Sequence, residues 1–87
     1  MAGEPSEAQA RLKQALELFA ELGTGWQTGR TYFELGMLAR AQADFVAATE
    51  HFTNALAEFE KQGAGPDAIR TQAALAELGR ARISAGR

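Results

Sequence analysis

Few residues of this 87-residue chain could do chemistry, and their spacing excludes more than it offers. His51 is the single histidine, with Glu50 and Asn54 close by. One imidazole without a second nitrogen or sulfur ligand makes a poor metal site, and no Ser or Asp is placed to make it a catalytic base. It reads as a surface histidine. The chain has no cysteine, which removes thiolate zinc sites, disulfides and a cysteine nucleophile together. Glu58 and Glu60 lie two apart and face different sides of a helix, so they are not an acid/base pair. No phosphate-cradling glycine loop occurs, because the glycines fall at predicted helix ends and crossings. The chain therefore reads as non-enzymatic, with no cofactor and no metal. What does recur is arginine: Arg30 and Arg40 return as Arg70 and Arg80 after a shift of 40 residues. A guanidinium fork suits carboxylates, which it can hold through two parallel hydrogen bonds.

Helices must position these side chains, and four are legible. Ser6 with Gln9 has the spacing of a capping box and predicts a first helix. Ala8, Leu12, Ala15, Leu16, Phe19 and Leu22 give it one apolar face, and Gly23 ends it. Thr24 with Gln27 repeats the capping spacing, so a second helix runs from about Gly25 to Gln42. Its core face carries Tyr32, Leu35, Gly36 and Ala39, and Trp26 staples its start to its neighbours. Gly29 and Gly36 each cost about 1 kcal/mol in a helix interior, so close helix approach should compensate, with Ala48 facing Gly36. Asp44 is the expected N-cap of a third helix bearing Ala48, Phe52, Ala55, Leu56 and Phe59. Gly63, Gly65 and Pro66 mark the last break. A fourth helix is predicted from about Pro66 to Ile83, with Ile69, Leu75, Ala76, Leu78 and Ile83 apolar.

Composition bounds the partners. A formal charge of -2 argues against a nucleic-acid binder. No apolar run approaches the roughly 18 residues that cross a bilayer, so no membrane partner is expected. The acidic start, MAGEPSEAQ, lacks the apolar segment of a signal peptide, and a cytoplasmic protein is the expectation. The whole chain, 1–87, reads as one domain.

Shifting the sequence by 40 residues aligns helix one on helix three and helix two on helix four. Leu16/Leu56, Phe19/Phe59, Gly23/Gly63, Arg30/Arg70, Thr31/Thr71, Leu35/Leu75 and Arg40/Arg80 are among the identities. The matched glycine breaks and Arg-Thr pairs do not follow from composition. Counted from Gly29, the positions of Tyr32, Leu35, Gly36, Ala48, Phe52 and Ala55 resemble the tetratricopeptide repeat, in its 40-residue variety. Ala39, Ala43 and Glu60 depart from that pattern at its second aromatic, turn Gly and terminal Pro.

The resemblance implies an all-α fold, an α-solenoid of four antiparallel helices in the phase B-A-B-A. Residues 29–62 form one complete repeat, and 6–23 and 66–83 are flanking half-repeats. It further implies a ligand groove lined by the A helices, at Arg30, Phe33, Met37 and Arg40 and at Arg70, Ala73, Glu77 and Arg80. The A helices are net basic and the B helices net acidic, so an acidic or amphipathic peptide segment is the expected partner. The competing reading is that these arginines only pair with Glu34, Glu77 and neighbouring acids. Half-repeats leave two ends open, at Leu12, Leu16, Phe19, Leu75, Leu78 and Ile83, and repeat arrays generally need about three units. The alternative function is therefore self-assembly into a homo-oligomer through those end helices. An excised or engineered piece of a larger array is a further reading of the off-phase ends.

Overall fold

The computed structural model describes the backbone from residue 4 to 85 and side chains from 7 to 80. Four helices follow one another: α1 (Glu4–Leu22), α2 (Gly25–Ala41), α3 (Phe45–Lys61) and α4 (Gly65–Ala85). The fold is all-α, and each helix packs on the next, α1 on α2, α2 on α3 and α3 on α4. The Cα envelope measures 43 × 33 × 15 Å, a slab only two helices thick.

Three turns of one kind set this layout. After α1, the Gly23 amide donates to the Ala20 carbonyl and the Thr24 amide to the Phe19 carbonyl. Ala43 and Asp44 repeat the pair after α2, as do Gly63 and Ala64 after α3. Each turn needs one left-handed residue, at φ 73°, 62° and 69° for Gly23, Ala43 and Gly63. This is the Schellman arrangement, which satisfies orphan carbonyls and reverses the chain at once. Thr24, Asp44 and Ala64 then start the next helix, so two residues join α1 to α2 and three join each later pair.

The capping expectations fare unequally. The Asp44 carboxylate accepts the Ala47 amide as an N-cap should. Thr24 makes no such bond, and its hydroxyl donates instead to the Phe19 carbonyl of the preceding turn. Ser6 does not cap α1, because the helix is already under way at Glu4 with Pro5 in its first turn, where a missing amide costs nothing.

The core runs along α3. Ala48, Phe52 and Ala55 are fully buried, and Leu35, Leu78 and Phe59 nearly so. Close approach of α2 to α3 depends on two glycines. A Cβ at Gly36 would stand 2.7 Å from the Phe52 ring, and one at Gly29 would stand 2.9 Å from Phe59. Gly36 thus faces the Phe52 ring, a large residue in place of the expected Ala48. Among the described residues Thr28, Thr31 and Thr71 are the buried polar ones, and each hydroxyl donates to the carbonyl four residues before it. Burial without a partner would cost each of them about 1–3 kcal/mol.

On α4 the buried face is Ala68, Thr71, Ala74 and Leu78, with Leu75 half-buried. Ile69, expected in the core, is 67% exposed, and Ala76 is also exposed. Both belong to the side of α4 that no helix covers. Ala8 is exposed on α1 for the same reason, whereas its counterpart Ala48 is enclosed by α2 and α4. Of the residues expected at open ends, Leu78 is buried on α3, and Leu12, Leu16, Phe19 and Leu75 are half-buried. The Ile83 side chain lies outside the described residues.

Candidate interaction face

Helices α2 and α4 lie side by side and run in the same direction, because both pack antiparallel on α3. Among the described residues, two polar contacts join them. The Trp26 indole donates to Asp67 at 2.8 Å near their starts, and Arg40 reaches Glu77 at 3.4 Å near the other end. Trp26 therefore does staple the start of α2, and its partner is Asp67 of α4.

Between those ties lies Phe33, half-buried, its ring 5.2 Å from that of Phe52. The Arg70 guanidinium from α4 stands 5.9 Å from the Phe33 ring centre and also bonds Asp67 at 2.9 Å. Met37 is exposed one turn further along α2. The structure therefore brings Phe33, Met37, Arg40, Arg70 and Glu77 onto one face. Ala73 and Arg80 are exposed along α4.

Arg30 sits apart from this cluster. Its guanidinium lies 5.6 Å from the Trp26 ring and 4.0 Å from Glu34, on the side of α2 that faces α1. There it helps line an open groove of about 340 Å³ between α1 and α2, with Leu12, Ala15, Phe19 and Trp26. Helical spacing could not separate Arg30 from Arg40. The direction of each side chain depends on which neighbouring helix is present, and α4 covers only the far flank of α2.

Among the described residues, Glu34 neighbours Arg30, Glu77 neighbours Arg40 and Asp67 neighbours Arg70. The Asp67 and Arg40 contacts include partners the sequence could pair only once α2 and α4 were known to be adjacent. All these guanidinium groups are at least a third exposed. Exposed pairs of this kind contribute about 0–1 kcal/mol each, so an incoming carboxylate can exchange with them.

His51 proves to be half-buried on α3, with Nδ1 enclosed and no hydrogen-bond partner among the described residues. Its ring stacks on Tyr32 at 6.4 Å. Burial pushes its pKa below the ordinary value, and Lys13 on α1 adds to the effect against weaker opposition from Glu50 and Asp44. Among the described residues no cluster of His, Cys, Asp and Glu could hold a metal ion, and no helix is long and apolar enough to cross a membrane.

No family model matches the sequence, and no curated protein is significantly similar to it. Among solved structures, the fold is similar to the solution NMR structure of a designed protein, DA05. The TM-score is 0.90 at 25% identity, over 97% of this chain and 84% of that one. A near-complete superposition at such modest identity is a statement about backbone architecture, and it carries no ligand with it.

Proposed function

We propose that the chain is a non-catalytic interaction module that binds an acidic or amphipathic protein segment along the exposed face of α2 and α4. The reading carries with it the resemblance to tetratricopeptide repeats and the solenoid arrangement that this implies. It rests on one observation above the rest: Phe33 and Met37 form an apolar centre with Arg40 and Arg70 beside it, all set on two parallel helices. An amphipathic ligand would lay its apolar side on the centre and its carboxylates on the guanidinium groups. Met suits such a surface because its unbranched thioether adapts to different partners.

A fluorescently labelled acidic amphipathic peptide, selected from an array, tests the proposal. Arg70→Glu should weaken its binding at least about tenfold and flatten its salt dependence, since it replaces an attraction by a repulsion beside Phe33. Arg30→Glu should act less, because Arg30 points to the other flank of α2. Unchanged binding in Arg70→Glu would refute the assignment.

A further inference from the structure

The two ends of the molecule carry the two halves of one joint. Inside the chain, Phe52 and Phe59 of α3 lie against Gly36 and Gly29 of α2, Ala48 shares a buried cluster with Phe52 and Ala39, and Ala55 and Leu35 are buried on the same two helices. Forty residues earlier, α1 carries Ala8, Leu12, Ala15 and Phe19 at the corresponding positions. Forty residues later, α4 carries Ile69, Leu75, Ala76 and Gly79. All eight of these end residues are exposed or half-buried, whereas every one of their internal counterparts is buried. One end thus bears the α3 half and the other end the α2 half.

We infer that copies of this chain stack head to tail, with α1 of one copy packing on α4 of the next as α3 packs on α2. In that register Leu12 meets the next copy's Ala76 where Phe52 meets Gly36. The smaller knob and the larger floor offset each other. Leu75 and Ala15 repeat Leu35 and Ala55 without change. The incoming α4 also fills the 340 Å³ groove between α1 and α2, the place that α2 itself occupies beside α3 and α4.

Charge points the same way. Helix α1 holds Glu4, Glu7, Glu17 and Glu21 against Arg11 and Lys13, while α4 holds Arg70, Arg80 and Arg82 against Asp67 and Glu77. A net acidic helix therefore meets a net basic one, whereas two-fold pairing of α1 on α1 would oppose like charges. Glu34 stands in the groove where Ala74 stands in the internal copy. Arg40 reaches Glu77 one turn beyond Ala74, so the next copy's Arg80 arrives one turn from Glu34.

One position does not match. Ile69 replaces Gly29, where even a Cβ would press on the Phe59 ring, and it would face Phe19. This overpacking keeps the stack weak and gives the inference its sharpest test, because trimming an exposed apolar residue should here strengthen association. A contact of this head-to-tail kind does not close on itself after two copies.

Sedimentation velocity from low micromolar to near-millimolar protein should show a size that rises with concentration and does not plateau at a dimer. Ile69→Ala should shift the midpoint of association to about tenfold lower concentration. Ala76→Glu should abolish association while retaining the helical circular dichroism spectrum, since Ala76 is exposed in the single copy. The absence of native cysteine allows a cross-linking check. A mixture of Leu12→Cys and Ala76→Cys chains should form mixed disulfides, and Leu12→Cys alone should not dimerise. A monomer at every concentration, weaker association in Ile69→Ala, or disulfide dimers of Leu12→Cys alone would each overturn the inference.

Discussion

At the scale of single residues, Ala43 and His51 each hold a position that their chemistry does not favour. Ala43 adopts φ 62°, where its two counterparts, Gly23 and Gly63, have no Cβ to strain. The left-handed conformation costs an L-residue about 1–2 kcal/mol, part of which glycine returns through its freer unfolded chain. Ala43→Gly should therefore stabilise the protein by about 0.5–1 kcal/mol, seen as a thermal midpoint higher by about 2–8 °C. His51 is half-buried, and burial with Lys13 nearby holds its folded pKa below the ordinary 6.5. The unfolded chain then takes up a proton before the folded one does, so the stabilisation is complete above pH 6.5 and lost as pH falls from there. The thermal midpoint should decline from pH 7 to 5, and His51→Gln should decline less over the same range. Equal slopes would remove His51 from the account.

At the scale of elements, the helix joints separate glycines that look alike in the sequence. Gly36 admits the Phe52 ring, and a methyl group there would stand 2.7 Å from it. Gly79 has nothing within 4 Å of a notional Cβ. Both lie inside helices, where Ala is favoured over Gly by about 1 kcal/mol. At Gly79 that gain should appear undiminished, so Gly79→Ala should raise stability by about 0.8–1 kcal/mol in urea unfolding. At Gly36 overpacking of about 1–3 kcal/mol outweighs it, and Gly36→Ala should destabilise. Small residues and large ones were readable as a pattern, and the expectation of close approach at Gly36 came from the helical cost alone. The identity of the residue filling the gap was not readable, because Ala48 and Phe52 lie one turn apart on the same face of α3. Only the depth at which the helices interlock distinguishes them.

At the scale of the whole molecule, the four helices and their breaks were legible to within about three residues, because apolar spacing and glycine stops act over one or two turns. The capping of α1 and α2 was misread, since S-x-x-Q and T-x-x-Q spacings permit a capping box without requiring it. The apolar face of α4 was misread at Ile69 and Ala76, which periodicity assigned to a core that has no covering helix on that side. The candidate binding face was half legible: spacing aligned Arg30, Phe33, Met37 and Arg40, but α4 stands beside only part of that row. The sequence by itself determined where helices start and stop, that they repeat every 40 residues, and that acid and base alternate from helix to helix. These are local or additive properties of the chain. Only the tertiary structure decided that Trp26 meets Asp67, that Arg30 turns away from Arg70, and that the halves of the α2 and α3 joint lie uncovered at opposite ends. Those facts depend on which helix lies beside which and how closely, a balance of side-chain volumes between residues far apart in the sequence.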